Sequence, residues 1–494
     1  MEKYYKKILW LAIALYLVVF SLVSFCRYTH FLYNGLDLAI INNVFWNTVH
    51  GHWFWSSIQG HSYLGDHCSP ILILLLPVYF LWQSPLLLLI LQSVFLGLAA
   101  WPIYKISQFK LKDNSLALGI AALWLINPLT HNINLYEFSF ISLAPFLFLM
   151  AFYFYLKNKI LLFSIFIFLS LLIREDVAFI ILIFSLIILF NKKYKIAVIL
   201  FFTSIAWIII ANKIIASFSS SNFSPFLYYY SWLGSAGSSA IAAHILSYKN
   251  LEMITGFLLP FLFIPLLKPQ WLLLALIPLA EIILSAAGGG AQIFMMHYGA
   301  LFLPALVIAF IGGFHRANQF VEDKLKSKYL LLICLMVINI FLWVDFGVFK
   351  KEIYPNRSKW SNTQQDNINE MLKSVVTQDK TASILASYRL LANLSSRENI
   401  YALHYYFLGV QQFAQGQYIL NKKPAYVILD KNDLLDFKEN LKNSKWAGQY
   451  YENGQERLKE LLQDYGVVDF QADVALFKRG YKSEIQLNKL NLDW

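Results

Sequence analysis

The chain has 494 residues, 58% of them hydrophobic and only 14% charged, with a formal net charge of +11. That balance excludes an ordinary water-soluble protein and suits a chain whose main solvent is lipid. The positive charge does not point to nucleic acid: residues 1–349 hold 20 Lys and Arg against 12 Asp and Glu, residues 350–494 hold 20 against 17, and the excess falls in the apolar part, where the positive-inside rule puts it.

Long apolar runs predict eleven membrane-spanning helices, at about 8–26, 84–106, 114–129, 139–156, 160–173, 177–191, 196–213, 251–267, 270–287, 298–314 and 329–349. The first is too long for a signal-peptide core and no small-residue cleavage site follows it, so it reads as an anchor. With these spans, sixteen Lys and Arg fall in connections on the N-terminal side of the membrane and four on the other. The N-terminus is therefore expected in the cytoplasm, in a plasma or inner membrane. The run from Pro70 to Trp82 is about a dozen residues with two prolines and reads as an interfacial helix in the outer loop 27–83.

Most ionisable groups near the spans then fall on the outer side. Asp37, Asp66 and His67 lie in the first outer loop, His131 and Glu137 in the second, Arg174-Glu175-Asp176 in the third, and His297 at the start of the tenth span. A charge at membrane depth costs about 2.5 to 3.5 kcal/mol, so these groups are expected to share a polar cavity that opens outward.

Each motif has two readings. Asp37, in "YNGLDLAII", is either the N-cap of an amphipathic helix or a general base. Asp66-His67, in "YLGDHCSP", is a second cap before Pro70 or a second polar anchor. Arg174-Glu175-Asp176 is an ion pair capping the next helix, or a phosphate grip using the planar guanidinium. "GGGAQIFMMHYGA" is a hinge, or a place where a ligand approaches the backbone with His297 donating and Tyr298 beside it. His50, His52 and His61 have no metal-ligand spacing, and neither do Cys26, Cys68 and Cys334.

From about Lys350 the composition turns polar, and 350–494 is expected to form a small extracytoplasmic α/β domain that covers the cavity or holds a substrate. "DNINEMLKSVV", "DLLDFKENLKN" and "GQERLKELLQDYG" have helical periodicity; "TASILAS", "NIYAL" and "AYVILD" are strand-like, and "VVDFQ" with "VALFKRG" suggests a terminal hairpin.

"YNGLDLAIINNVFWNTVHGHWFWSSI", "LGDHCSPILILLLPVYFLW", "LLIREDVAF", "HYGALFLPALVIAFIGG", "TASILASYRLLANLSSRENIYAL" and "PAYVILD" resemble, in that order, the membrane proteins grouped as domain of unknown function family 2079. That family in turn resembles the C-type (GT-C) membrane glycosyltransferases, which take sugar from a polyprenyl-phosphate carrier on the outer face. The resemblance implies a GT-C-like domain over 1–349 and a role for Asp37 as base or as ligand of a divalent cation, Mg or Mn. Asp66 is a second catalytic candidate. Arg174, Glu175, Asp176, His67, His131, Glu137, His297 and Tyr298 are the candidates for holding substrate. Where related sequences read His-Pro-Asp-Phe-His after the third span, this chain reads "THNINLYEFSF", keeping His131 and Glu137. The partners expected are a polyprenyl-phosphate sugar donor, the bilayer, and a glycan, lipid or protein acceptor. A transporter or flippase of a lipid-linked or anionic substrate, or a non-catalytic assembly protein, are the competing classes.

Overall fold

A computed structural model describes residues 2–33, 35–219, 229–345, 363–378, 381–410, 417–442 and 447–483. The polar junction beginning at Lys350 and the end of the span expected at 329–349 lie outside these residues.

Among the described residues, four helices are long and apolar enough to cross a membrane: Glu2–Thr29, Pro85–Leu111, Tyr194–Phe218 and Gly299–Leu325. The pair Asn114–Ile126 and Pro128–Leu135 makes a fifth if it is one span bent by 41°. The bend has a local cause. Asn127 caps the second helix by accepting the Leu129 N–H at 2.9 Å, and Pro128 at its first position has no N–H with which to continue the first.

Eleven spans were expected; four or five candidates are found. The other expected spans are helical but short. Ile160–Leu171 has 12 residues, a rise of about 18 Å against the roughly 30 Å of a hydrocarbon core. The segment expected at 251–267 is broken: Tyr248–Leu258 gives way to the 3-10 turns Leu259–Phe261 and Ile264–Leu267. Pro260 and Pro265 remove backbone donors there, and Leu262 and Phe263 adopt positive φ. Ile71–Leu81, with Pro77 inside, is a short apolar helix of 11 residues, as expected.

The long helices show why lipid suits them. On Glu2–Thr29, Leu9, Ile13, Tyr16 and Phe20 are buried, while Leu11, Leu15, Val18 and Leu22 are exposed. A helix apolar on both faces, with one face left bare, needs an apolar solvent.

Near the C-terminus lies a five-stranded sheet in the order Ile400–Ala402, Ile384–Ala386, Tyr426–Asp430, Val474–Arg479, Tyr465–Gln471. The first three strands are parallel and the last two are antiparallel additions, so the partly parallel sheet and the terminal hairpin fall where the strand-like runs lie. Helices Thr363–Gln378, Lys431–Phe437 and Gly448–Leu462 occupy the helical runs.

This sheet region is seated on the loop that follows the first helix. Asn43, fully buried on helix Asp37–Val49, donates to Arg397 O at 2.7 Å and accepts the Ser57 N–H at 2.9 Å. Asn42 donates to Ser395 Oγ at 2.8 Å, and Ser57 Oγ both donates to Ile400 O and accepts from its N–H, each at 3.0 Å. Gly35 lets the chains approach closely: a Cβ there would collide with the Tyr388 carbonyl oxygen. Replacing Asn43 by Leu leaves several of these buried groups unpaired, at about 1–3 kcal/mol each. Asn43→Leu should therefore lower the thermal unfolding temperature and accelerate hydrogen exchange in Ile400–Ala402, and unchanged exchange would contradict this docking.

Candidate functional site

The site is built around helix Asp37–Val49. Its first-turn N–H groups need acceptors, yet its N-cap, Leu36, supplies no side-chain bond. Glu137 takes that role from the segment after helix Pro128–Leu135: its Oε2 accepts the Leu38 N–H at 2.7 Å. Asp37 is therefore not the cap. Its side chain remains 40% exposed, with Oδ2 3.7 Å from His297 Nδ1. Burial pushes the Asp37 carboxyl up to about 6, against the opposing pull of His67 and Arg174. Burial and the Asp37 charge push Glu137 well above the usual range.

Asp37 looks into a cavity of about 500 Å³ that also has Asp66, His67, Arg174, Asp176, His297 and Tyr298 in its walls. Four sequence-distant segments thus converge. Apolar side chains, among them Ile40, Ile41, Phe140, Ile282, Leu301 and Phe302, complete the lining.

The Arg174-Glu175-Asp176 triplet divides its work. Arg174 Nε donates to Asp176 Oδ2 at 2.9 Å, and Nη2 donates to the same oxygen. This is the ion pair of the simpler reading, although Asp176 caps no helix with its side chain. Asp176 Oδ1 is left buried without a partner. Glu175 is not part of the cavity lining; it accepts from His67 Nδ1 at 2.8 Å and from the Cys68 N–H at 2.9 Å, which fastens the segment before helix Ile71–Leu81 to the turn before Val177–Phe190. Burial disfavours the His67 cation, but the adjoining Glu175 carboxylate outweighs it and holds the His67 pKa above its ordinary value.

His297 is buried, and its Nδ1 has no hydrogen-bond partner. Burial, with Arg174 and His67 nearby, presses its pKa down to about 3, so the imidazole is neutral. Its ring rests between Tyr136 and Tyr298, with centroids 5.1 and 4.4 Å away. Asp66 is no cap for Ile71–Leu81, whose N-cap is Pro70; it accepts from Gln59 Nε2 beside His61.

Three expected site residues lie off the cavity lining: Glu175, which holds His67, together with His131 and Glu137. His131 donates through Nε2 to Leu125 O at 2.6 Å, and its ring centroid lies 4.7 Å from that of Phe20; it is an interior packing residue. Glu137 is the helix acceptor described above. The glycine triplet is held in place: Gly289 N–H donates to Asn250 Oδ1 at 2.7 Å, and Gly288 and Gly290 have φ of +67° and +123°, values that side-chain-bearing residues rarely adopt.

Sequence reasoning missed Gln59, Tyr63, Tyr230 and Glu281, all of which face the cavity. Glu281 carried a signal, as the one ionisable residue in "WLLLALIPLAEIILSAA". Among the described residues, no group of three or more His, Cys, Asp and Glu is placed to hold a metal ion.

The DUF2079 family model, described as a predicted membrane protein, matches residues 27–457. The chain belongs to this family. The match takes in Asp37, the Arg174 turn, His297 and three of the five strands of the C-terminal sheet, so the cavity residues and the parallel part of the sheet belong to one family unit. No curated protein matches the chain.

The acceptor role of Glu137 makes a sharp prediction. Glu137→Gln keeps an oxygen for the Leu38 N–H and should retain the wild-type unfolding temperature within experimental error. Glu137→Ala removes the acceptor and should cost about 0.5–2 kcal/mol; equal unfolding temperatures for the two variants would refute the capping role.

Proposed function

We propose that this family member is an integral membrane glycosyltransferase that moves a sugar from a polyprenyl-phosphate-linked donor to an acceptor hydroxyl on the outer face of the membrane, with the N-terminus cytoplasmic. The observation that carries the reading is the pairing of Asp37 with a neutral, unpartnered His297 Nδ1 in a cavity that also contains Arg174.

The chemistry follows from that geometry. A hydroxyl beside the 3.7 Å gap between Asp37 Oδ2 and His297 Nδ1 can donate to the carboxylate while accepting from the imidazole. Asp37 takes the proton as the acceptor oxygen bonds to the anomeric carbon and the bond from that carbon to the phosphate oxygen breaks. A single displacement of this kind inverts the anomeric centre. The departing phosphate gains negative charge, and Arg174 offsets it: its Nη1 makes no hydrogen bond among the described residues and is free to donate. The Asp176 contact fixes the guanidinium plane. The apolar part of the lining suits the first isoprene units of a lipid tail.

A carboxylate base must be ionised, and the raised Asp37 pKa sets the working range. The transfer rate should fall as pH drops through about 6 and level off above pH 7. In proteoliposomes carrying labelled polyprenyl-phosphate sugars, Asp37→Asn should reduce transfer by on the order of 10²-fold or more at pH 7 and above, a deficit that narrows as the pH falls below about 6, and Arg174→Gln should reduce it by on the order of 10²–10³-fold. Correctly inserted Asp37→Asn protein with the wild-type rate and pH profile would overturn the proposal. Movement of labelled lipid between leaflets without any transfer would instead identify a flippase.

A further inference from the structure

We propose that Glu281 recognises the sugar of the lipid-linked donor, its carboxyl accepting hydrogen bonds from the ring hydroxyls. The inference rests on the transferase reading of the same cavity and assigns that cavity a specificity-determining side chain.

Glu281 is carried by helix Leu276–Leu284, "LIPLAEIIL". Pro278, Glu281, Ile282 and Ser285 all line the cavity, and their offsets from Pro278 are those of one helix face turned towards it. Glu281 is the one ionisable residue on that face. Its place in the wall is thus set by the helical period together with the cavity itself.

The main chain and the side chain of this segment do different work. The last carbonyls of a helix need donors. Tyr230 Oη donates to Glu281 O at 2.8 Å, Trp232 Nε1 to Leu284 O at 3.0 Å and His244 Nε2 to Ser285 O at 3.0 Å. The Ala286 N–H then donates to Tyr229 O at 2.9 Å. The Glu281 carboxyl takes no part in this. Among the described residues it makes no hydrogen bond or ion pair, although an acid on an apolar helix is unfavourable unless it is paired or used. It is half-buried in the wall of a cavity of about 500 Å³, a size that takes a small ligand.

Hydrogen-bond chemistry selects what it binds. A carboxylate only accepts, so its partner must bring O–H or N–H groups. The phosphodiester and isoprene tail of the donor offer none, whereas a sugar ring offers several. In the same lining Arg174 takes the phosphate, and Asp37 takes the reactive hydroxyl of the acceptor. The ring hydroxyls of the donor are what remains for Glu281. Tyr229 and Tyr230, whose ring centroids are 6.5 Å apart, belong to the same wall and supply apolar surface for the C–H face of a sugar. A site that pairs a substrate hydroxyl rejects an analogue lacking it more sharply than an apolar pocket can.

The test titrates the full chain in lipid nanodiscs with farnesyl-phosphate esters of glucose, galactose, mannose and arabinose, and with methyl farnesyl phosphate, the same phosphodiester without a sugar. At least one sugar ester should bind the wild type about tenfold or more tightly than the methyl ester. Glu281→Leu should bring that advantage below about twofold while leaving affinity for the methyl ester unchanged, and Glu281→Gln, which keeps an acceptor oxygen, should retain most of it. Full discrimination by Glu281→Leu, or none by the wild type, overturns the assignment. Equal weakening of sugar esters and methyl ester in Glu281→Leu marks a structural role and overturns it too. Discrimination lost in Glu281→Leu, together with wild-type affinity of Arg174→Gln for the methyl ester, would uphold the assignment and sink the phosphate grip of the transferase reading instead.

Discussion

The structure depends on one substitution of roles at the start of a helix. Glu137, arriving from the segment after helix Pro128–Leu135, accepts the Leu38 N–H and so relieves Asp37 of the task that an acid at a helix start usually performs. Because the orphan donors are satisfied from elsewhere, the Asp37 carboxylate can face the cavity and His297. The same contact ties the Asp37 helix to the segment after Pro128–Leu135, while the Glu175 bonds to His67 and Cys68 tie the chain before Ile71–Leu81 to the turn before Val177–Phe190. The fold thus spends two carboxylates, Glu137 and Glu175, on fixing the positions of the groups that remain available.

A second constraint comes from the C-terminal sheet. It is attached through buried amides and hydroxyls: Asn42 donates to the Ser395 hydroxyl, and Asn43 and Ser57 donate to backbone carbonyls. Such contacts are directional and cost free energy when broken without water, so they fix orientation more sharply than apolar packing. The Tyr388 carbonyl oxygen lies where a Cβ on residue 35 would be, so the sheet region helps to fix the chain just before the Asp37 helix.

Much of this was legible in the sequence, for reasons that differ by element. The apolar runs identified a membrane protein, and the strand-like runs after residue 380 located the sheet, because hydrophobic periodicity reports burial directly. The convergence of Asp37, Asp66, His67, Arg174 and His297 followed from the cost of stranding polar groups near lipid. The span count did not follow: hydropathy registers apolar composition, whereas Pro260 and Pro265 break a helix without changing it, and runs such as Ile160–Leu171 end too soon to cross alone. His131 and Glu137 were grouped with the ligands because they share a segment, yet one turns towards Leu125 and Phe20 and the other towards a helix end. Side-chain direction of that kind is set by tertiary contacts that sequence spacing does not encode. Glu281 was overlooked because its apolar helix dominates any averaged reading.

The most direct test of the account is a cryo-EM structure of the protein in nanodiscs with polyprenyl phosphate added. The account predicts phosphate density within hydrogen-bonding reach of the Arg174 guanidinium, on the same side of the cavity as Asp37 and His297, with the tail leaving along the apolar wall. Phosphate density outside this cavity, or an Asp37 side chain turned away from His297 when lipid is bound, would contradict it.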